Sequence, residues 1–331
     1  MTPALAAPLF VASIALMLLA SAQFAQRLDH VGLRLGLPEA LLGLLTALAA
    51  DAPEVSSAIS ALVQGDHSVA VGVVVGSNAF NLAAMLGLSA VVTARVRARH
   101  ETLELESFVG LWLLAVMLAV AAGALGATTG AALVAAVVVP YVALLAAGPR
   151  LARRLPQTES RFLRRSFGEP HRPERTLHSR REAAGVLAIL LGALVLIVAG
   201  SVGAVRAATD LADAWSVPEE LVGVIVLAIL TSLPNAWTGV RFGLQQRGSA
   251  LMSEALNSTS LNIVAGLAVP AALGSLGAFS SLAIFDLAWL LAMTAAALVL
   301  FGRRNGAGRG AGTLLIVLYA AFLVVQIVAR V

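Results

Sequence analysis

The sequence predicts an all-α integral membrane protein: ten transmembrane helices as two inverted five-helix repeats, with broken helices at the midplane. Three observations carry this expectation. Hydrophobic residue types fill 59% of the 331 positions and charged types only 12%, with a mean hydropathy of +0.91, far more apolar than a soluble domain. Apolar runs repeatedly reach the ~20 residues that a bilayer requires. Polar clusters interrupt two of these runs at mid-length and recur 181 positions later, so that Ser77 and Asn81 correspond to Ser258 and Asn262.

Taken in order, the runs give spans near 4–26, 37–63, 68–92, 105–123, 128–147, 184–205, 219–241, 249–272, 281–301 and 312–329. The first begins almost at Met1 and is too long for a signal-peptide core, with no basic stretch ahead of it, so it is read as a retained helix. The second carries Asp51, Pro53 and Glu54, and the third Gly76-Ser77-Asn78-Ala79-Phe80-Asn81. The fourth opens behind Glu101, Glu104 and Glu106, read as a solvated face at its mouth. After the fifth comes the only long polar segment, 149–182, rich in Arg and containing Pro156, Pro170 and Pro173; it reads as a linker with room for a short surface helix. The seventh carries Thr231-Ser232-Leu233-Pro234-Asn235 and the eighth Glu254 with Asn257 to Asn262. Asp286 lies early in the ninth, where it is read as reaching the outer interface or pairing locally.

Alternate loops of a multi-spanning chain lie on opposite sides of the membrane, so basic residues test the count. With these spans, twenty of the 22 basic residues, all of them Arg, fall on one side, and only Arg206 and Arg330 on the other. The positive-inside rule then places the chain in a cell (inner) membrane, with the linker cytoplasmic and both termini outside. Residues 1–148 and 183–331 become two five-span halves around the 149–182 linker. An odd number of spans makes the second half enter from the opposite face. Pro38-Glu39 and Pro218-Glu219, at the mouths of the second and seventh spans, fit that relation. Inverted repeats with interrupted helices recur in secondary transporters.

The polar clusters supply the chemistry. An ionised carboxylate at mid-membrane costs roughly 2.5–3.5 kcal/mol on insertion and marks an ion or proton pathway. Asp51 and Glu54, three apart, share a helix face that Ser57 continues. Pro53 and Pro234 disturb the carbonyls of Ala49 and Leu230, which then need another partner; a bound cation can be one. Ser77 with Asn81, and Ser258 with Asn262, line single stripes, and Glu254 lies one turn before Ser258. Carboxylate, amide and hydroxyl oxygens suit hard cations such as Ca²⁺ and Na⁺. The clusters hold no His and the chain no Cys, which disfavours zinc and copper and excludes disulfides. The transported ions, Ca²⁺ and Na⁺ or H⁺, are substrates, and no cofactor is implied. Membrane lipids are the other partners, nucleic acid is not one, and the chain reads as a monomer or weak homo-oligomer.

These residues resemble the sodium/calcium exchanger family of the calcium/cation antiporter superfamily. Its two inverted repeats each hold a G-T-S-x-P-E element followed by G-N-x-x-G-S-N-x-x-N/D. Pro53-Glu54 and Gly76 to Asn81 match the first repeat, and Thr231-Ser232-Leu233-Pro234 matches the second in part. The resemblance implies Na⁺/Ca²⁺ exchange, with Glu54, Ser77, Asn81, Thr231, Ser232, Ser258 and Asn262 at ligand positions. The chain departs from the pattern at Ala49-Ala50-Asp51 in place of Gly-Thr-Ser and at Asn235 in place of the second glutamate. Asn257 also replaces a glycine, and Glu254 an asparagine. Asp51 and Glu254 are read as replacing the missing charge, which makes Asp51, Glu54 and Glu254 the metal carboxylates. The alternatives are a cation/H⁺ antiporter or a membrane scaffold with a degraded site. An intramembrane hydrolase is disfavoured, because all five His lie in loops or at membrane edges and no second buried Asp faces Asp51. Calcium regulation is not expected, because the linker shows no EF-hand spacing and few carboxylates.

Overall fold

The computed structural model describes residues 2–34, 39–98, 100–152, 180–303 and 306–330. It is helical throughout, apart from one two-residue antiparallel bridge, Arg95–Val96 with Ala307–Gly308. The first half contains α1 (Pro3–Arg34), α2 (Glu39–Gln64), α3 (His67–Thr93), α4 (His100–Ala121) and α5 (Ala127–Ala152). The second contains α6 (Arg180–Trp215), α7 (Glu219–Thr231), α8 (Leu233–Leu244), α9 (Gly248–Ala272), α10 (Ser281–Phe301) and α11 (Arg309–Arg330). Most of the 149–182 linker, including the segment expected to allow a surface helix, lies outside the described residues, as do the side chains of the Pro38–Gly43 element.

Eight of these helices are long and apolar enough to cross a membrane, and the α7–α8 pair, bent by 46°, gives a ninth candidate. α2 falls outside that set, with Asp51 and Glu54 at its middle. Two helices outrun the apolar stretches that predict them. α1 spans 32 residues and α6 36, because α6 continues helical past Arg206 to Trp215. They pack closely along Gly200 and Gly203, where a Cβ would meet Ser13 and Met17.

Burial separates the frame from the centre. In α3, 94% of the most apolar window is buried, and in α9 67%, against 22% in α5 and α6 and 28% in α11. The helices enclosed by protein form the centre, while the others turn apolar surface outward. α3 and α7 touch through their backbones. A Cβ at Gly76 would overlap the Val224 carbonyl oxygen, and one at Gly223 would stand 2.6 Å from the Val69 carbonyl. Gly72 and Gly76 are therefore packing residues, as small residues in membrane helices commonly are.

The expectation of a broken helix in each half needs correction for the first. Ser232 leaves helical geometry (φ −87°, ψ 1°) between α7 and α8, and Pro234 sits in the first turn of α8, where its missing N–H is tolerated. α2, in contrast, runs unbroken through Pro53. The Ala49 carbonyl that Pro53 disturbs accepts a hydrogen bond from Ser21 Oγ of α1 at 3.2 Å, so the chain compensates it from within. Wider, π-helical turns occur instead at Leu82–Leu88, Val222–Leu227 and Val264–Ala268. The first and third lie just beyond Asn81 and Asn262, at corresponding places in α3 and α9, and such turns frequently accompany functional sites.

Candidate functional site

α2 delivers Asp51 and Glu54 to the centre of the bundle, one helical turn apart, and both are fully buried. Their partners come from the other half of the chain. Asn235, in the first turn of α8, donates through Nδ2 to Asp51 Oδ1 at 2.7 Å and to Glu54 Oε1 at 2.8 Å. Ser232, at the break before α8, donates to the same Glu54 oxygen at 3.0 Å. From α9, Ser258 Oγ donates to Asp51 Oδ1 at 2.7 Å, and it accepts from Asn81 Nδ2 of α3 at 3.2 Å. Asn262 Nδ2 reaches Asn78 Oδ1 at 3.3 Å, tying α9 to α3 a turn further on.

Six of the ten residues singled out in the sequence are thus joined in one network: Asp51, Glu54, Asn81, Ser232, Asn235 and Ser258. Ser77 and Thr231 are buried but donate to their own helices, at the Val74 and Ala228 carbonyls. Glu254 is buried one turn before Ser258, within electrostatic reach of Asp51 and Arg247. Among the described residues no three Asp, Glu or His side chains gather into a metal-holding group, so in this conformation Glu254 stands apart from the Asp51–Glu54 pair. Ser57 turns away toward the Met17 sulfur of α1.

What remains unmatched at the centre is all acceptor. Asp51 Oδ2, Glu54 Oε2, Asn81 Oδ1, Asn235 Oδ1, Asn262 Oδ1 and both carboxylate oxygens of Glu254 are buried without a donor. Buried polar atoms are nearly always paired, so such a set needs an explanation. Oxygens with free lone pairs are what a hard cation requires.

One expectation outside the centre changes. Glu106 is not on a solvated face. It is 5% exposed and accepts from Ser253 Oγ of α9 at 2.5 Å, because α4 packs this face against α9. Asp286 is buried, paired with Arg330 at 2.9 Å and Gln326 at 2.7 Å. Asn78 bonds across helices to Asn262, while its amide nitrogen donates to its own helix at Val74. Sequence reasoning did not find Tyr141, Ser253 or Ser21 as partners. The four-residue spacing of Ser253 and Asn257, parallel to that of Glu254 and Ser258, was a signal for the second of these.

A helical bundle that buries carboxylates and amides from both halves at its centre fits the architecture of a membrane transporter. The sequence matches the family model described as sodium/calcium exchanger protein over residues 5–146 and 185–328, and the chain belongs to that family. Its members are cation antiporters whose ions are substrates, and they require no cofactor. Among solved structures, the chain is similar to the H⁺/Ca²⁺ exchanger CAX, at 14% identity and a TM-score of 0.73, over 96% of this chain and 82% of that one. It is similar to the sodium-calcium exchanger NCX_Mj at 18% identity and a TM-score of 0.62, over 98% and 99%. It also resembles YfkE at 16% and 0.64, over 97% and 91%. These likenesses concern the fold. A comparison with curated proteins gives no match.

Proposed function

We propose that the chain exchanges Ca²⁺ for Na⁺ by alternating access, at a site built from Asp51, Glu54, Ser77, Asn81, Thr231, Ser232, Asn235, Glu254, Ser258 and Asn262. The observation that carries this is the set of donor-free oxygens gathered around a carboxylate pair that the opposite half holds in place. In this reading Asp51 and Glu54 supply the charge. Asn235 turns its Oδ1 toward a bound cation, and Glu254 adds a third carboxylate when α9 shifts. Na⁺ and Ca²⁺ compete for the same oxygens, and that competition couples their movements.

The proposal includes ten spans in two inverted repeats, residues 1–148 and 183–331, joined by a cytoplasmic linker at 149–182, with both termini outside the cell membrane. The distribution of Arg supports this orientation. Reciprocal packing supports the repeat: α2 lies against α9 of the other half, as α7 lies against α3.

A second reading, exchange of the cation for protons, is favoured by one feature of the pair. Asp51 and Glu54 place like charges on either side of a single amide nitrogen, and a proton relieves that repulsion as a cation does. Radioactive Ca²⁺ uptake into proteoliposomes separates the two. Uptake driven by a Na⁺ gradient supports Na⁺/Ca²⁺ exchange, uptake driven only by a pH gradient supports the second reading, and no uptake under either gradient overturns Ca²⁺ as substrate.

A further inference from the structure

α9 carries two polar stripes. Glu254, Ser258 and Asn262 face the centre, whereas Ser253, Asn257 and Ser260 lie roughly 130° around the helix, toward α4 and α5. On that second face a chain of donors runs in one direction. Tyr141 of α5 donates its hydroxyl to Asn257 Oδ1 at 2.8 Å, Asn257 Nδ2 donates to Ser253 Oγ at 3.3 Å, and Ser253 donates to Glu106 Oε1 at 2.5 Å. Glu106 Oε2 is buried and meets no donor. Tyr141 and Asn257 are buried with it.

Every hydroxyl and amide in this chain is already spent on its neighbour. A metal ion such as Ca²⁺ needs about six to eight oxygens and would have to break the chain to collect them. A proton needs only one acceptor, and Oε2 is that acceptor. The groups around Glu106 leave no other source of charge compensation among the described residues. α9 brings Glu254, on its other face, and Arg247 ahead of its first turn. α5 brings Tyr141. α10 has no acid or base between Asp286, held by Arg330 and Gln326, and Arg303 beyond its end. On α4 itself, Glu104 is exposed two residues earlier.

We propose that Glu106 is a proton-binding carboxyl separate from the central pair, and that its protonation acts on transport through α9. The carboxylate takes a proton from bulk water at Oε2 and returns it there, with no other bond made or broken. When it is neutral, the pull on Ser253 weakens, and Glu254 and Ser258, the next residues along from Ser253 and Asn257, carry that change to Asp51. The proton site stands on Glu106 alone; only its effect on transport rests on the antiporter reading above.

Infrared difference spectra between acid and alkaline pH, on the full chain in lipid, test the site without requiring transport. A protonated-carboxyl band that titrates in the wild type should be missing in Glu106→Gln. Ser253→Ala keeps the carboxyl, removes its nearest donor, and should move the midpoint by about one pH unit or more, which guards against a Glu106→Gln variant that fails to fold. Na⁺ at fixed pH should leave the band in place. A band unchanged in Glu106→Gln, a midpoint unmoved in Ser253→Ala, or a band removed by Na⁺ overturns the proposal. If the chain transports Ca²⁺, Glu106→Gln should also flatten the dependence of uptake on the pH of the face carrying Glu104. A flat profile in the wild type would overturn the link through α9.

Discussion

Asn235 and Asp51, 184 positions apart in sequence, lie 2.7 Å apart at the centre of the protein, and the same amide nitrogen holds Glu54 at 2.8 Å. A single neutral side chain from the second half therefore satisfies one oxygen of each carboxylate from the first. Where the exchanger pattern has a second glutamate, this chain has the donor that lets two carboxylates of one helix stand side by side.

Asn235→Ala removes that donor and the Oδ1 acceptor together. A hydrogen bond to a buried charged group contributes about 1.5–3 kcal/mol, so the Ca²⁺ concentration for half-maximal uptake should rise about ten- to a hundredfold. Concentration-dependent uptake in proteoliposomes measures it, and an unchanged half-saturation would remove Asn235 from the site.

Asp51→Asn with Glu54→Gln should reduce ion uptake to the level of empty liposomes while leaving the protein folded, because uncompensated buried charge is lost and shape is kept. Retained transport in the double variant would leave the carboxylates without the role argued for them. Loss of transport with an intact melting profile in detergent would also rule against a silent scaffold.

Gly76→Val should destabilise the chain by about 2 kcal/mol or more, since its side chain would have to displace the α7 backbone at Val224. Gly185→Ala, where a Cβ meets nothing within 4 Å, is the matched control and should melt like the wild type.

Arg330→Met strands Asp286 without its buried partner and should cost about 3–5 kcal/mol. Adding Asp286→Asn should recover most of that loss. A double-mutant cycle on thermal unfolding checks the coupling, and additive effects would mean that the pair contributes nothing as a pair.

The layout of helices was legible in the sequence because bilayer solvation writes itself into runs of apolar residues. α3, α9, α10 and α11 begin and end within a few residues of their apolar runs. Where helix and apolar run part company, the reading fell short. α6 continues past Arg206, because backbone hydrogen bonding propagates a helix beyond the stretch that hydropathy marks, and Glu106 is inside because α9 packs against α4 there. Pro53 and Pro234 looked equivalent, yet only the second accompanies a break. The difference is Ser21, from a helix whose proximity no local pattern encodes.

The chemistry of the centre was fixed by composition and spacing. Carboxylates, amides and hydroxyls buried at mid-span in both halves can only be reconciled with a bilayer by pairing with each other or with an ion, and Asp51, Glu54, Asn235 and Ser258 could be named on that ground alone. Tertiary structure decided how they are shared. It set Asn235 between the two carboxylates, turned Ser77 and Thr231 back onto their own helices, held Glu254 apart, and gave α9 a second polar face against Glu106 and Tyr141. Those assignments depend on the angle at which helices cross and on which face each turns inward. Both are set by contacts between residues far apart in the chain, such as Gly76 against Val224.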